Sequence, residues 1–569
     1  MRSINLSLAV RVCLLTLLVL SLGTTALAQS RSINKKSTLP FGSLIDEPWN
    51  TVVNNNSAIP NGTRNFSSYG QPSVSAEGTI VFRGRSTMGG HETGIYLRNY
   101  PNGKLIQLAD ANTPVPDPNN LATMFTEFSS FPRIAIHNSN VAFRGMHSPV
   151  YTYMLPDGTE TRIGTTGIYA TLGSEVLFTG ASKLGLIPGF DFYAVRRNYD
   201  PAGPMFYFDV FPGGSAINDD GWIVFKGNWT EGDIGKTGIF ARRLFADNYG
   251  GIQPTHMLAS SDSEIPNLPP SFQMVTFDST SPPSVAGDYV VFLGLDNEAD
   301  PHAGGIYRVH LKGGQLEPLV EIGKALPNNP GTELTRIGEG LSFDGRYLAF
   351  WAAWGTEFET VRLNCPADGN RDLRDYCNGI DPNSIYDAST RQWYQLQTTP
   401  LHQGIVVMDL QTGEARVVSS TLTDFTDFVY WTYSGHVPGT SGDETSEPPR
   451  WRGASFMAVS DGTVVFKART ADWNKQFEYI NIVDGLYSVD MQTNSPRSKL
   501  VETGMDGSLL DPQLSPGTMP ITGLGIERDG FRGDHLAITA TMANEEAGWG
   551  GVYMKRLYRA PSLRKDPRR

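Results

Sequence analysis

Seven times along this chain a short apolar strand closes on Phe or its equivalent, and a Gly-hydrophobic-aromatic triplet usually follows. The first copy runs from Pro72 through Thr79-Ile-Val-Phe-Arg-Gly84 to Gly94-Ile95-Tyr96. Later copies centre on Phe143 with Tyr169, Phe225 with Phe240, Phe292 with Tyr307, Phe350 with Val406, Phe466 with Tyr487, and Ile538 with Tyr553. A repeat of this kind is a supersecondary unit that cannot bury its apolar face alone, so stacking of copies dictates the fold. Sixty glycines, thirty-seven prolines and 18% charged residues suit many short strands joined by turns. The expectation is an all-β chain: a seven-bladed β-propeller of four-stranded antiparallel blades.

Each copy reads as four strands. The first ends in an acidic residue followed by glycine, as at Glu77-Gly78, Asp220-Gly221, Asp344-Gly345 and Asp461-Gly462, which suits a tight hairpin. The second is the Val-Val-Phe run, the third the Gly-Ile-Tyr run, and the fourth a Leu-rich run before proline. The order resembles the TolB-type propeller repeat, a structural motif shared by proteins of unrelated function, so the resemblance implies a fold and no activity. The last copy lacks a fourth strand, while residues 38–48 read as an orphan one. They are expected to complete the last blade and close the ring. The propeller then spans 29–560, with an insertion at 352–403 in the fifth blade and a basic tail at 561–569.

Residues 1–28 read as a secretory signal, with Arg2 and Arg11, an apolar run from Cys13 to Leu22, and small residues at Ala26 and Ala28. The run is too short for a stable membrane span. A secreted or periplasmic location follows. Removal of Cys13 leaves Cys365 and Cys377, which in an oxidising compartment pair as one disulfide. A zinc site using them with His402 lacks motif spacing. The run Asp368-Gly-Asn370-Arg-Asp372-Leu-Arg-Asp375 resembles the opening of a calcium loop, but Leu373 and Gly379 stand where glycine and glutamate are required. Calcium is therefore an alternative to a stapled polar loop, and the cofactor is otherwise open. A net charge of −12 argues against nucleic acid as partner. A monomer engaging an extracellular glycan or protein is expected.

In a propeller, loops between second and third strands share a rim with the links between blades, and here those loops are long. Binding residues concentrate on loops held by a rigid scaffold. The candidates are His91, His147, Tyr151 and Tyr153 for catalysis, with Arg83, Arg85, Arg144, Trp229, His302, Trp354, Arg469 and Trp473 for substrate binding. The basic residue that follows the strand-ending Phe in four copies serves equally well as a structural ion pair between blades.

Two functions compete. Several polysaccharide lyases are seven-bladed propellers, and similarity at that level implies a glycan-active enzyme. Such an enzyme needs a base to take the proton beside a uronate carboxylate, Arg to neutralise it, and a group to protonate the leaving oxygen. His91, His147, Arg85, Arg144, Tyr151 and Tyr153 supply those residue types, and Trp229, Trp354 and Trp473 suit stacking on sugar faces. The alternative is a non-catalytic binding or scaffold propeller using the same face.

Overall fold

The computed structural model describes residues 44–559 except 87–91, 174–175, 185–189, 191–192, 197–203, 246–253, 269–274, 422, 439–447 and 493–495. These belong to one compact unit, Gly42–Arg569. The expected signal at 1–28, the tail at 561–569 and His91 lie outside the described residues. Among the described residues no helix is long and apolar enough to cross a membrane.

Aromatic packing explains the repeat. In the first sheet Phe66 meets Tyr96 edge-on, with ring centroids 4.9 Å apart, and Phe82 lies between their strands. The same edge-on contact recurs between Phe125 and Tyr169 at 4.8 Å, Phe208 and Phe240 at 4.9 Å, and Phe277 and Tyr307 at 5.1 Å. This is the geometry that the ring quadrupole favours. The glycine two places after the second-strand Phe lies beneath the first ring. A Cβ on Gly84, Gly145 or Gly227 would come within 2.5 Å of Phe66, Phe125 or Phe208 respectively. The Phe-x-Gly signature is thus a packing requirement.

The sheets are antiparallel, and the first sets the pattern. Phe66–Tyr69 and Ser73–Val74 both pair with Thr79–Ser86, which pairs with Thr93–Asn99, which pairs with Leu105–Asp110. The inner lane is therefore broken into two short strands. Six sheets, of five to seven strands each, share this break. A further sheet, begun by Met457–Ser460, has four strands. The expected ring of seven uniform four-stranded blades is corrected accordingly: six blades of five to seven strands form because the chain leaves the inner lane and rejoins it, and one sheet stays at four strands. The innermost strands touch in sequence. Ser73–Val74 meets Arg133–Ile134, then come Ala216–Ile217, Ser284–Ala286, Ser342–Phe343, Met457–Ser460 and Phe531–Arg532, which returns to Ser73–Val74. The architecture is an all-β propeller with its apolar cores between neighbouring sheets.

At the outer edge of the last sheet, Leu44–Asp46 and Asn50–Asn54 both pair with Gly548–Arg559. The expected closing segment began at residue 38; the described pairing starts at Leu44 and extends beyond 48 to Asn54. In the insertion, strands Tyr347–Asn364 and Gln392–Asp409 run past the sheet as one long hairpin. Its tip carries a short helix, Arg371–Cys377, and the Cys365–Cys377 disulfide. Asn370 caps this helix by accepting the backbone N–H of Asp372 and Leu373, so the run compared with a calcium loop is a helix start.

Candidate functional site

A second hairpin, Tyr430–Ser434 paired with Arg450–Ala454, stands before the four-stranded sheet. Between it, the long insertion hairpin and the rim of the neighbouring sheets lies a cavity of about 540 Å³. Three indoles line it, from Trp351, Trp431 and Trp451. So do four guanidinium-bearing residues, Arg336, Arg450, Arg452 and Arg528, and three carboxylates, Glu298, Glu339 and Glu527. Glu298 comes from the loop after Tyr289–Leu295, Glu339 from the link between Asn329–Ile337 and Ser342–Phe343, and Glu527 and Arg528 from the link before Phe531–Arg532. The site therefore sits where a second-to-third-strand loop meets the breaks in the inner lanes of neighbouring sheets.

Each wall is fixed from behind. Trp351 donates its indole N–H to Gln403 Oε1 at 2.8 Å. Gln403 donates to Asp427 Oδ1 at 2.9 Å, and Tyr479 Oη donates to the other Asp427 oxygen at 2.5 Å. Burial raises the Asp427 carboxyl above the usual range, opposed by these hydrogen bonds and by Arg469. Among the described residues, Trp431 and Trp451 have no hydrogen-bond partner for their buried Nε1. Tyr433, on the same hairpin, donates to Asp381 Oδ2 of the insertion at 2.6 Å, and Gln395 donates to that oxygen at 2.9 Å. The two hairpins are joined there. Arg450 spans to Glu298 at 2.8 Å, and Arg528 holds Glu527 at 2.8 Å.

Below the rim the middle of the ring is filled. Arg133 and Arg532 both pair with Asp529, and all three side chains are buried. Arg133 also donates to Pro283 O at 2.6 Å and to Ser284 Oγ at 3.0 Å, while Arg532 donates to Val459 O at 2.7 Å and Phe343 O at 3.0 Å. One carboxylate and two guanidiniums thus bridge five sheets. Burial opposes the Asp529 charge, but Arg133 and Arg532 hold its carboxyl below the usual range.

The residues singled out from the sequence are placed elsewhere. None of the described ones lines the cavity. His147 is in the core, with Nε2 2.5 Å from Tyr169 Oη and Nδ1 2.9 Å from Ser148 O, and burial lowers its pKa. Trp229 is 1% exposed and packs on Phe240. Both side chains are buried. Tyr151 and Tyr153 are half-buried in a side hairpin packed on the apolar cluster around Phe125 and Tyr169. Arg83 donates to Phe128 O at 2.8 Å, Arg85 pairs with Glu127 at 2.7 Å, and Arg144 keeps Nε buried without a partner. Arg469 pairs with Asp484 at 2.8 Å and lies over Tyr430, while Trp473 packs on Tyr479 at 4.3 Å. Trp354 faces His402 across the insertion hairpin, and His302 is exposed beside Asp296 and Asp300. Among the described residues no group of three His, Cys, Asp or Glu is arranged to hold a metal ion.

What defines the molecule is a propeller with a closed floor and a Trp-, Arg- and Glu-lined cavity on one rim. No known family profile matches the chain, and no curated protein matches it in sequence. Solved structures similar to it include the β-propeller domain of the Trilobed protease from Pyrococcus furiosus, at 11% identity over 77% of this chain and 98% of that one, TM-score 0.29. An acylaminoacyl peptidase from Pyrococcus horikoshii is 11% identical over 84% of this chain, TM-score 0.32; the chain spans 58% of that peptidase. The polysaccharide lyase Uly1 is 9% identical over 89% of this chain and 94% of that one, TM-score 0.38. None of these likenesses assigns an activity.

Proposed function

We propose that this is a secreted β-propeller that engages an extracellular glycan with acidic units and cleaves uronate-containing chains by β-elimination. The observation that carries the reading is the meeting of Trp351, Trp431 and Trp451 with Arg336, Arg450, Arg452 and Arg528 around one cavity. Indoles offer flat apolar surface for the C–H faces of a sugar ring. Guanidinium groups match a carboxylate in bidentate geometry and stay charged at any physiological pH. The net charge of −12 argues against a polyanion elsewhere on the surface, whereas this cavity sets four arginines beside three glutamates. Arg85 and the exposed His302 are kept as outer contacts for a longer chain. The Cys365–Cys377 disulfide supports export to an oxidising compartment.

The test is ultraviolet absorbance and equilibrium binding with a panel of uronate polysaccharides. Elimination leaves a conjugated unsaturated uronate, so absorbance should rise on mixing. Trp451→Ala should weaken binding about tenfold, which is about 1.4 kcal/mol. Binding with a flat absorbance trace would instead establish the non-catalytic platform. No binding to any acidic glycan would end the reading.

A further inference from the structure

Of the three carboxylates at the cavity, two are committed to a guanidinium: Glu298 to Arg450 and Glu527 to Arg528. Glu339 is different. Its side chain accepts no hydrogen bond and closes no ion pair within 4 Å among the described residues. More than a third of its surface is exposed, and it lines the cavity. Its backbone is pressed against the wall, since a Cβ on Gly340 would come 2.7 Å from Ser455 O. One on Gly338 would come 3.1 Å from Ser455 Oγ and 3.3 Å from Trp351. Glycines on both sides let the chain approach the hairpin closely and leave Glu339 as the triplet's only side chain. Beside it stand charges from separate elements: Lys226, Glu298, Arg452 and Arg528, with Arg336, Arg450 and Glu527 completing the cavity's set.

We infer that Glu339 is the catalytic base of this cavity, taking the proton from the carbon next to a bound uronate's carboxylate and returning it to the departing glycosidic oxygen. This rests on the glycan reading above. The C–H electron pair becomes the new carbon–carbon double bond. The bond from the adjacent carbon to the glycosidic oxygen breaks, its electrons leave on that oxygen, and the proton carried by Glu339 completes the new hydroxyl. No water or oxidant is consumed. Arg452 and Arg528 are the cations near Glu339 suited to neutralise the uronate carboxylate, which lowers the cost of the carbanion. Burial raises the Glu339 pKa; Lys226 opposes this, Glu298 adds to it, and Arg528 and Arg452 oppose it. A carboxylate tuned upward is a stronger base near neutral pH.

The experiment uses the full chain with alginate, polygalacturonate and hyaluronate. Glu339→Gln should lower the absorbance rate by at least about 100-fold while oligosaccharide binding is retained. Because the ionised form acts, the wild-type rate should rise with pH through a limb above the ordinary glutamate range. Glu298→Gln removes a neighbouring negative charge and should move that limb to lower pH; Lys226→Met should move it to higher pH. A fold defect would not shift the limb in opposite directions. Unchanged turnover in Glu339→Gln, or a limb that neither variant moves, overturns the assignment and leaves the glycan reading intact. Binding without absorbance change in the wild type overturns both the eliminative reaction and its base, and loss of binding overturns the glycan site itself.

Discussion

Asp529 is buried between Arg133 and Arg532, with 6% of its side chain exposed. Removing it would strand two guanidiniums inside the ring, so Asp529→Ala should cost about 3–5 kcal/mol, read from denaturant midpoints. Its carboxyl sits below the ordinary range, so its contribution is fully present above the unfolded aspartate value and lost as pH falls through the folded one. The acid limb of the stability curve should flatten in the variant. Side-chain alternation explains which single residues the sequence could have placed. Phe143, Gly145 and His147 alternate along one strand and share a face, as do Phe225, Gly227 and Trp229. Counting by two from the strand-ending Phe puts His147 and Trp229 in the core. Glu339 and Arg528 carry no such signal, because they stand in irregular links whose direction no periodicity fixes.

The two hairpins that wall the cavity differ in how well they could be read. The insertion between Trp351 and His402 broke the repeat visibly, and its cysteines twelve positions apart marked the staple now formed. The hairpin Tyr430–Ser434 with Arg450–Ala454 occupies what the repeat presents as a link between blades. The run Arg450-Trp451-Arg452 was its available signal. Replacing Cys365 and Cys377 by serine should cost roughly 3 kcal/mol by the loop-entropy argument. Since Tyr433 donates to Asp381, four residues beyond the staple at Cys377, the same variant should weaken glycan binding as well as lower the melting temperature. Proteolysis within 365–395, measured beside binding, would report whether the wall loosens.

At the scale of the whole molecule the sevenfold repeat made the propeller readable, while the broken inner lanes were hidden because segments such as Ser73–Val74 are two residues long. Contact between the first and last strands holds the ring. Val52 and Val53 are each 1% exposed against the last sheet. A chain beginning after Asn54 loses their burial, worth about 3–6 kcal/mol together, and bares the edge of Gly548–Arg559. A lower melting temperature and concentration-dependent association in light scattering are the expected outcome. The ion triad at the floor has a further consequence for traffic. A toroid whose hole is filled is a cup, with one mouth for entry and exit. A polymer cannot be threaded through it, so it must either lie across the brim or lower a terminus inside. Whatever reaches Glu339 has to leave by the way it came, before the next unit can follow.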